Sequence, residues 1–285
     1  MNTLKTIVLL GCLSALMITV GGYLGGRDGL VWASVFALGT NIFAYWFSAP
    51  VALSMSNAQP IAREQAPELY RIVEHLAQEA KIPVPTVYFI PSESPNAFAT
   101  GRDPQHSAIA VTKGIIDLLD SQELEAVLAH ELGHVRNHDI LISTVAAVLA
   151  GVVTTIAHWG MYFGSGYSDD RGQSRPNPIF MLLMMIAAPI AASLINLAIS
   201  RSREYEADAT GARMCGNPLA LASALAKIED LSNQIPMRSA NPALSSLYIA
   251  KPHGGSWMVD LMSTHPPMAD RIKRLQEMNI HLSGK

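Results

Sequence analysis

Four stretches of this 285-residue chain contain no Lys, Arg, Asp or Glu: 6–26, 29–62, 140–168 and 176–200. A helix crosses a bilayer with roughly 20 consecutive apolar residues, and each stretch reaches that length. The first two are separated only by the polar turn at 25–29, and the last two by the Gly-, Ser-, Asp-, Arg- and Pro-rich loop 164–178. They therefore read as two transmembrane hairpins, 1–53 and 140–200. A cleaved signal peptide fits less well, because its apolar core is only roughly 7–15 residues long.

Composition removes other classes. With 49% hydrophobic and 15% charged residues the chain is not a disordered scaffold. Twenty basic against 23 acidic residues give a net charge of −3 with no basic block, so nothing argues for nucleic acid. Two cysteines, Cys12 and Cys215, supply neither a disulfide framework nor a thiolate metal cage. The basic residues Lys5, Arg63, Arg136, Arg201 and Arg203 all fall on one side of four crossings. The positive-inside rule then puts both termini and both polar segments, 54–139 and 201–285, in the cytosol.

The first polar segment alternates between helical and extended patterns. Leu69, Ile72, Val73 and Leu76 predict a helix over 67–81, and the runs 85–90 and 107–112 predict strands. Residues 94–101 between the strands read as a turn leading into a further extended piece. Asp120 with Glu123 marks a helix start, and the helix it opens carries His130, Glu131 and His134.

His130 and His134 are four residues apart, which on a helix brings both imidazoles to one face, one turn apart. Zinc accepts such nitrogens at about 2.0–2.1 Å, and a catalytic site leaves one of its positions to water. Glu131 is placed to serve as general base toward that water. A third ligand is needed. The pattern that continues with Gly and His six residues further is excluded, since Asn137 and Ile140 occupy those positions. Glu204 and Asp208 share a face of the helix that leaves the fourth apolar run, as ligand and as acceptor for a ligand imidazole N–H. Glu204 lies about 6 Å beyond the end of that run, and His134 about 9 Å before the start of the third, so their heights match. The metal is thus expected close to the cytosolic membrane surface.

Taken together, HELGHVRNHD (130–139), SREYEAD (202–208), PNAFATG (95–101) and STHPP (263–267) resemble the HtpX-type membrane zinc metallopeptidases. The resemblance spans nearly the whole chain. It implies a mainly α membrane protein with four transmembrane helices and a cytosolic α+β, zincin-like catalytic domain containing a small edge-stranded sheet. It further implies one zinc ion on His130, His134 and Glu204, catalysis by Glu131, and cleavage of damaged or misassembled proteins in a bacterial inner membrane. CAAX prenyl proteases are similar around the metal, so a processing enzyme for lipidated peptides is one alternative. An inactive metal-binding scaffold is another.

Other candidates carry two readings each. Asn96, Ala97, Phe98 and Ala99 form either an edge strand that pairs with an extended peptide or an ordinary turn. His265 either donates to the oxyanion of the reaction or fixes a loop. His138 falls one further turn along the metal face if the helix continues, but as a fourth ligand it would close the water position, so it reads as a peripheral residue.

Overall fold

The computed structural model describes residues 2–149, 201–235, 244, 247–249 and 266–283. Its first element, α1 (Asn2–Met55), contains both N-terminal apolar runs and breaks once, at Gly26. A φ of 57° there is left-handed backbone, which glycine enters without a side-chain clash. The chain turns back on itself at this point. Asn41 Nδ2 donates to Ser14 Oγ at 2.9 Å across the two halves, and a Cβ on Gly21 would collide with Gly29 and Ala33 opposite. The portion Gly25–Met55 is long and apolar enough to cross a membrane, and it turns Trp32, Phe36, Phe43, Trp46 and Phe47 outward. Of the third apolar run only its start is described, as the short apolar helix Ile140–Leu149. The remainder of that run and all of the fourth lie outside the described residues.

The polar segment folds around a four-stranded sheet of β1 (Gln59–Pro60), β2 (Thr86–Ile90), β3 (Ala97–Gly101) and β4 (Ser107–Thr112). Its order is β1-β2-β4-β3, with β2 and β4 parallel and the β1–β2 and β3–β4 pairs antiparallel. Both expected strands are present. Residues 97–101, open between turn and strand from sequence, form the edge strand, with Ala97 opposite Val111 and Gly101 opposite Ser107. All six residues of β4 are buried, because helices cover both faces of the sheet.

One face packs Val87, Ala97, Ala99, Ile109 and Val111 against α2 (Pro67–Ala80) and α4 (Ser121–Arg136). The expected face of α2 is the buried one, and a proline at its first turn needs no N–H partner there. The other face packs Ile90, Phe98, Ala108 and Ala110 against Ala52 and Leu53 of α1 and Ala147 and Val148 of the helix Ile140–Leu149, α5. The sheet is thereby held between the polar helices and the ends of two apolar ones.

A short helix, α3 (Lys113–Leu118), leads into α4. The start of α4 is a capping box: Asp120 accepts from the N–H groups of Gln122 and Glu123, and Glu123 accepts from the N–H of Asp120. Buried Glu123 also accepts from Ser223 and Lys227 on α7 (Pro218–Gln234), which pins that helix to the head of α4. Beyond the undescribed stretch, α6 (Arg201–Cys215) crosses α4, and α8 (Met268–Ser283) closes the far side. Burial pushes the Cys215 thiol up, consistent with an inert packing residue.

Candidate metal centre and active site

The contact between α4 and α6 is built from small residues. A Cβ on Gly211 would stand 2.6 Å from the backbone N of His130, and one on Gly133 would stand 3.2 Å from the carbonyl of Ala207. Glycine at 211 therefore lets α6 lie directly against the backbone that carries His130. Gly211→Ala is expected to force the helices apart, lowering unfolding stability by about 1–3 kcal/mol and weakening metal binding, as thermal unfolding and chelator competition would show.

This approach brings His130, His134 and Glu204 together with ligand atoms within 4.8 Å of one another. His130 Nε2 and His134 Nε2 are 3.2 Å apart, and Glu204 lies 3.6 Å from the second and 3.8 Å from the first. The ring tautomers follow from what the other nitrogens touch. His130 Nδ1 is 2.9 Å from Asp208, and His134 Nδ1 is 3.2 Å from Asp139, so each Nδ1–H is spent on a carboxylate. Both Nε2 lone pairs then face the same point, where they repel unless a cation or proton lies between them. Tetrahedral zinc with bonds of about 2.1 Å has ligand separations of about 3.4 Å, so this donor set fits the metal.

The surrounding charge fits it as well. Burial opposes a charge on His134, yet Asp139, Glu204 and Glu131 outweigh it and push the ring's pKa up to about 10. The carboxylates that favour a proton there favour a metal cation for the same reason. For buried His130 the loss of water dominates and lowers its pKa, which keeps that ring neutral, as a ligand must be.

Glu131 reaches from α4 to the sheet while staying within the field of His134 and Glu204. Its Oε2 accepts from the Ala99 N–H of the edge strand at 2.9 Å, so the carboxylate bridges the metal helix and β3. Burial raises its pKa to about 8, with His134 opposing and Glu204 reinforcing the shift. A carboxyl whose proton affinity lies near neutral pH is suited to taking a proton and giving it back.

Two residues complete the site without having been singled out in the sequence. Arg271, fully buried on α8, donates from Nε to Asp208 at 2.8 Å and from Nη2 at 2.6 Å, and its Nη1 lies 3.7 Å from Glu204. Although burial works the other way, Arg271 and His130 together hold the Asp208 carboxyl down to about 2. Arg271→Met would leave that buried carboxylate without its main partner. The expected loss is about 3–5 kcal/mol of unfolding stability, measurable by urea or thermal unfolding in detergent. Asp139, also buried, is the second: it precedes α5 and holds His134, tying a candidate ligand to the start of an apolar helix. A lone Arg past a Pro-Pro pair gives no signal in sequence, whereas Asp139 ends the quoted metal motif and was legible as the partner of an imidazole.

The remaining candidates fall as follows. Asn96 is buried beside β3, its N–H bonded to Thr112 Oγ1 and its Oδ1 accepting from the Ala97 N–H. Ala97 and Ala99 face α4, while Phe98 faces the opposite side of the sheet. His265 lies outside the described residues. His138 does not continue the metal face: α4 stops at Arg136, and His138 is exposed with a left-handed φ of 57°. The chain must turn there to bring Asp139 under His134, which removes His138 from the helical register.

Comparison with known proteins agrees with this chemistry. The family model "Peptidase family M48" matches residues 63–279. A "Protease HtpX homolog" of Pelotomaculum thermopropionicum is 48% identical over 283 residues, covering 98% of this chain and 100% of that protein. Proteins of the same description from Syntrophobacter fumaroxidans and Pyrococcus furiosus are 49% and 47% identical, over 96% and 98% of this chain and 98% and 96% of their own. Among solved structures, Ste24p of S. mikatae shares the fold at a TM-score of 0.51 and 22% identity; the match covers 96% of this chain and 65%, just under two thirds, of that one. With the family model spanning most of the chain and relatives matched end to end, the chain belongs to peptidase family M48 and is a metallopeptidase of the membrane.

Proposed function

We propose that the chain is a zinc endopeptidase of the bacterial inner membrane that cleaves damaged or misassembled membrane proteins. The observation that carries this reading is the meeting of His130, His134 and Glu204 at one point, with Glu131 bridging to an edge strand. One zinc ion per chain would be held by those three side chains, with Asp208 and Asp139 fixing the rings. When bound, the ion acidifies a water molecule and draws electron density from a peptide carbonyl.

The protein's own groups do the rest. Asn96, Ala97, Phe98 and Ala99 offer an extended platform along which a substrate backbone pairs, which admits many sequences. Glu131 takes a proton from the water as its oxygen adds to the carbonyl carbon. It then delivers that proton to the amide nitrogen as the C–N bond breaks. His265 is our candidate for the donor to the developing oxyanion, a contact worth of order 3 kcal/mol.

Two crossings precede the metal helix and two follow it, in hairpins 1–53 and 140–200, with the catalytic segments 54–139 and 201–285 and both termini cytosolic. The packing of the sheet onto the ends of α1 and α5 supports a site at the bilayer surface, within reach of loops and frayed ends of other membrane proteins. The test is cleavage of a destabilised membrane protein co-reconstituted in liposomes. Fragments should appear with zinc and vanish with chelator, and cleavage that ignores the chelator would overturn the proposal.

A further inference from the structure

The open edge of β3 is already partly taken by the chain itself. Thr112 N–H donates to the Asn96 carbonyl, so pairing with β4 falls on Asn96, Phe98 and Thr100, and the peptide groups of Ala97, Ala99 and Gly101 point to the free edge. There the Ala99 N–H is bonded to Glu131, and the Ala97 carbonyl accepts from the N–H of Ile249 at 3.2 Å. Ile249 thus makes the main-chain bond that an incoming strand would make.

Its neighbour fills a pocket on the apolar side of the same strand. The Tyr248 ring meets Phe98 edge-on, with centroids 5.4 Å apart and an interplanar angle of 88°. Tyr248 is only 1% exposed, packed within the cluster that holds Leu53 and Val148, and its hydroxyl donates to Ser56 at 3.3 Å. Backbone pairing at an edge with a side chain in an adjoining pocket is the way extended peptides are recognised.

We propose that the outer edge of β3 and the Phe98 pocket form a subsite for an extended peptide bearing an aromatic side chain, and that Leu247–Ile249 occupies it in cis until substrate displaces it. This rests on the reading of β3 as the substrate platform. An internal competitor lowers apparent affinity by the fraction of molecules left open, so releasing it strengthens peptide binding and lowers KM more than it changes kcat.

The test uses full-length protein in detergent, in a Glu131→Gln background, with a fluorescent pentapeptide copying residues 246–250 (SLYIA) as probe. Tyr248→Ala is expected to bind it about tenfold more tightly, and on that variant a control peptide carrying Ser in place of the aromatic residue should bind more weakly than the probe. Ile249→Pro removes the N–H while keeping the ring and should strengthen binding in the same direction. Unchanged affinity in both variants, with thermal unfolding and zinc content retained, overturns the proposal. If Tyr248→Ala does not fold, Ile249→Pro alone decides. Tighter binding without any Glu131-dependent cleavage by the parent protein would uphold the subsite and defeat the peptidase mechanism. Glu131-dependent cleavage with no affinity change would do the reverse.

Discussion

Replacing Glu131 with Gln is expected to lower peptide cleavage by about 10²–10⁴-fold while metal content stays at the parent level. The two results separate because of where Glu131 sits. It is not among the three side chains whose atoms converge, so removing its charge leaves that set intact. A Gln at this position retains an amide oxygen to accept from the Ala99 N–H, so the link between α4 and β3 survives. What it loses is the capacity to take up and return a proton. Paired measurement of metal content and turnover checks this. Cleavage equal to that of the parent would favour a metal-binding scaffold whose apparent activity comes from a contaminant.

The second large effect is expected for Glu204→Ala. Glu204 supplies the only negative charge among the three converging groups, and it comes from α6 rather than α4. Its loss leaves two neutral imidazoles on one helix. We expect zinc affinity to fall by more than the 10–100-fold typical of losing an outer partner of a ligand, and cleavage to fall to background. Asp208→Ala makes a graded comparison, since it removes the acceptor for His130 Nδ1 and the partner of Arg271 but none of the three converging side chains. Chelator competition on both variants should rank them with Glu204→Ala weaker. An inverted order would mean that Asp208, not Glu204, is the third ligand.

The site was legible to the extent that its chemistry repeats at helical spacing. His130, Glu131 and His134 share one helix, and Glu204 and Asp208 are one turn apart on another, so periodicity alone grouped each set. Joining the sets needed only that both helices adjoin apolar runs at similar heights. Arg271 escaped because its role is tertiary: nothing near it in sequence shows that α8 will carry it to Asp208. Gly211 escaped for a similar reason, as its value lies in what a Cβ would strike on another helix.

The sheet was legible in part. β2 and β4 are rich in β-branched and apolar residues, whereas β3 contains two alanines, a threonine and a glycine, too weak a pattern to separate strand from turn. Its strand character comes from the register with β4 and from the helices on both faces. His138 is peripheral, as expected, but its placement one turn along the metal face failed, because a helical wheel assumes the helix continues and here it ends two residues earlier.

The central claim is that one metal ion joins α4 to α6 through His130, His134 and Glu204. Zinc-edge X-ray absorption on the purified full-length protein tests it most directly. The predicted spectrum shows two imidazole nitrogens and oxygen neighbours at about 2.0–2.2 Å, with the signal depleted in Glu204→Ala. A spectrum without imidazole scattering, or one unchanged by the loss of Glu204, would contradict the account.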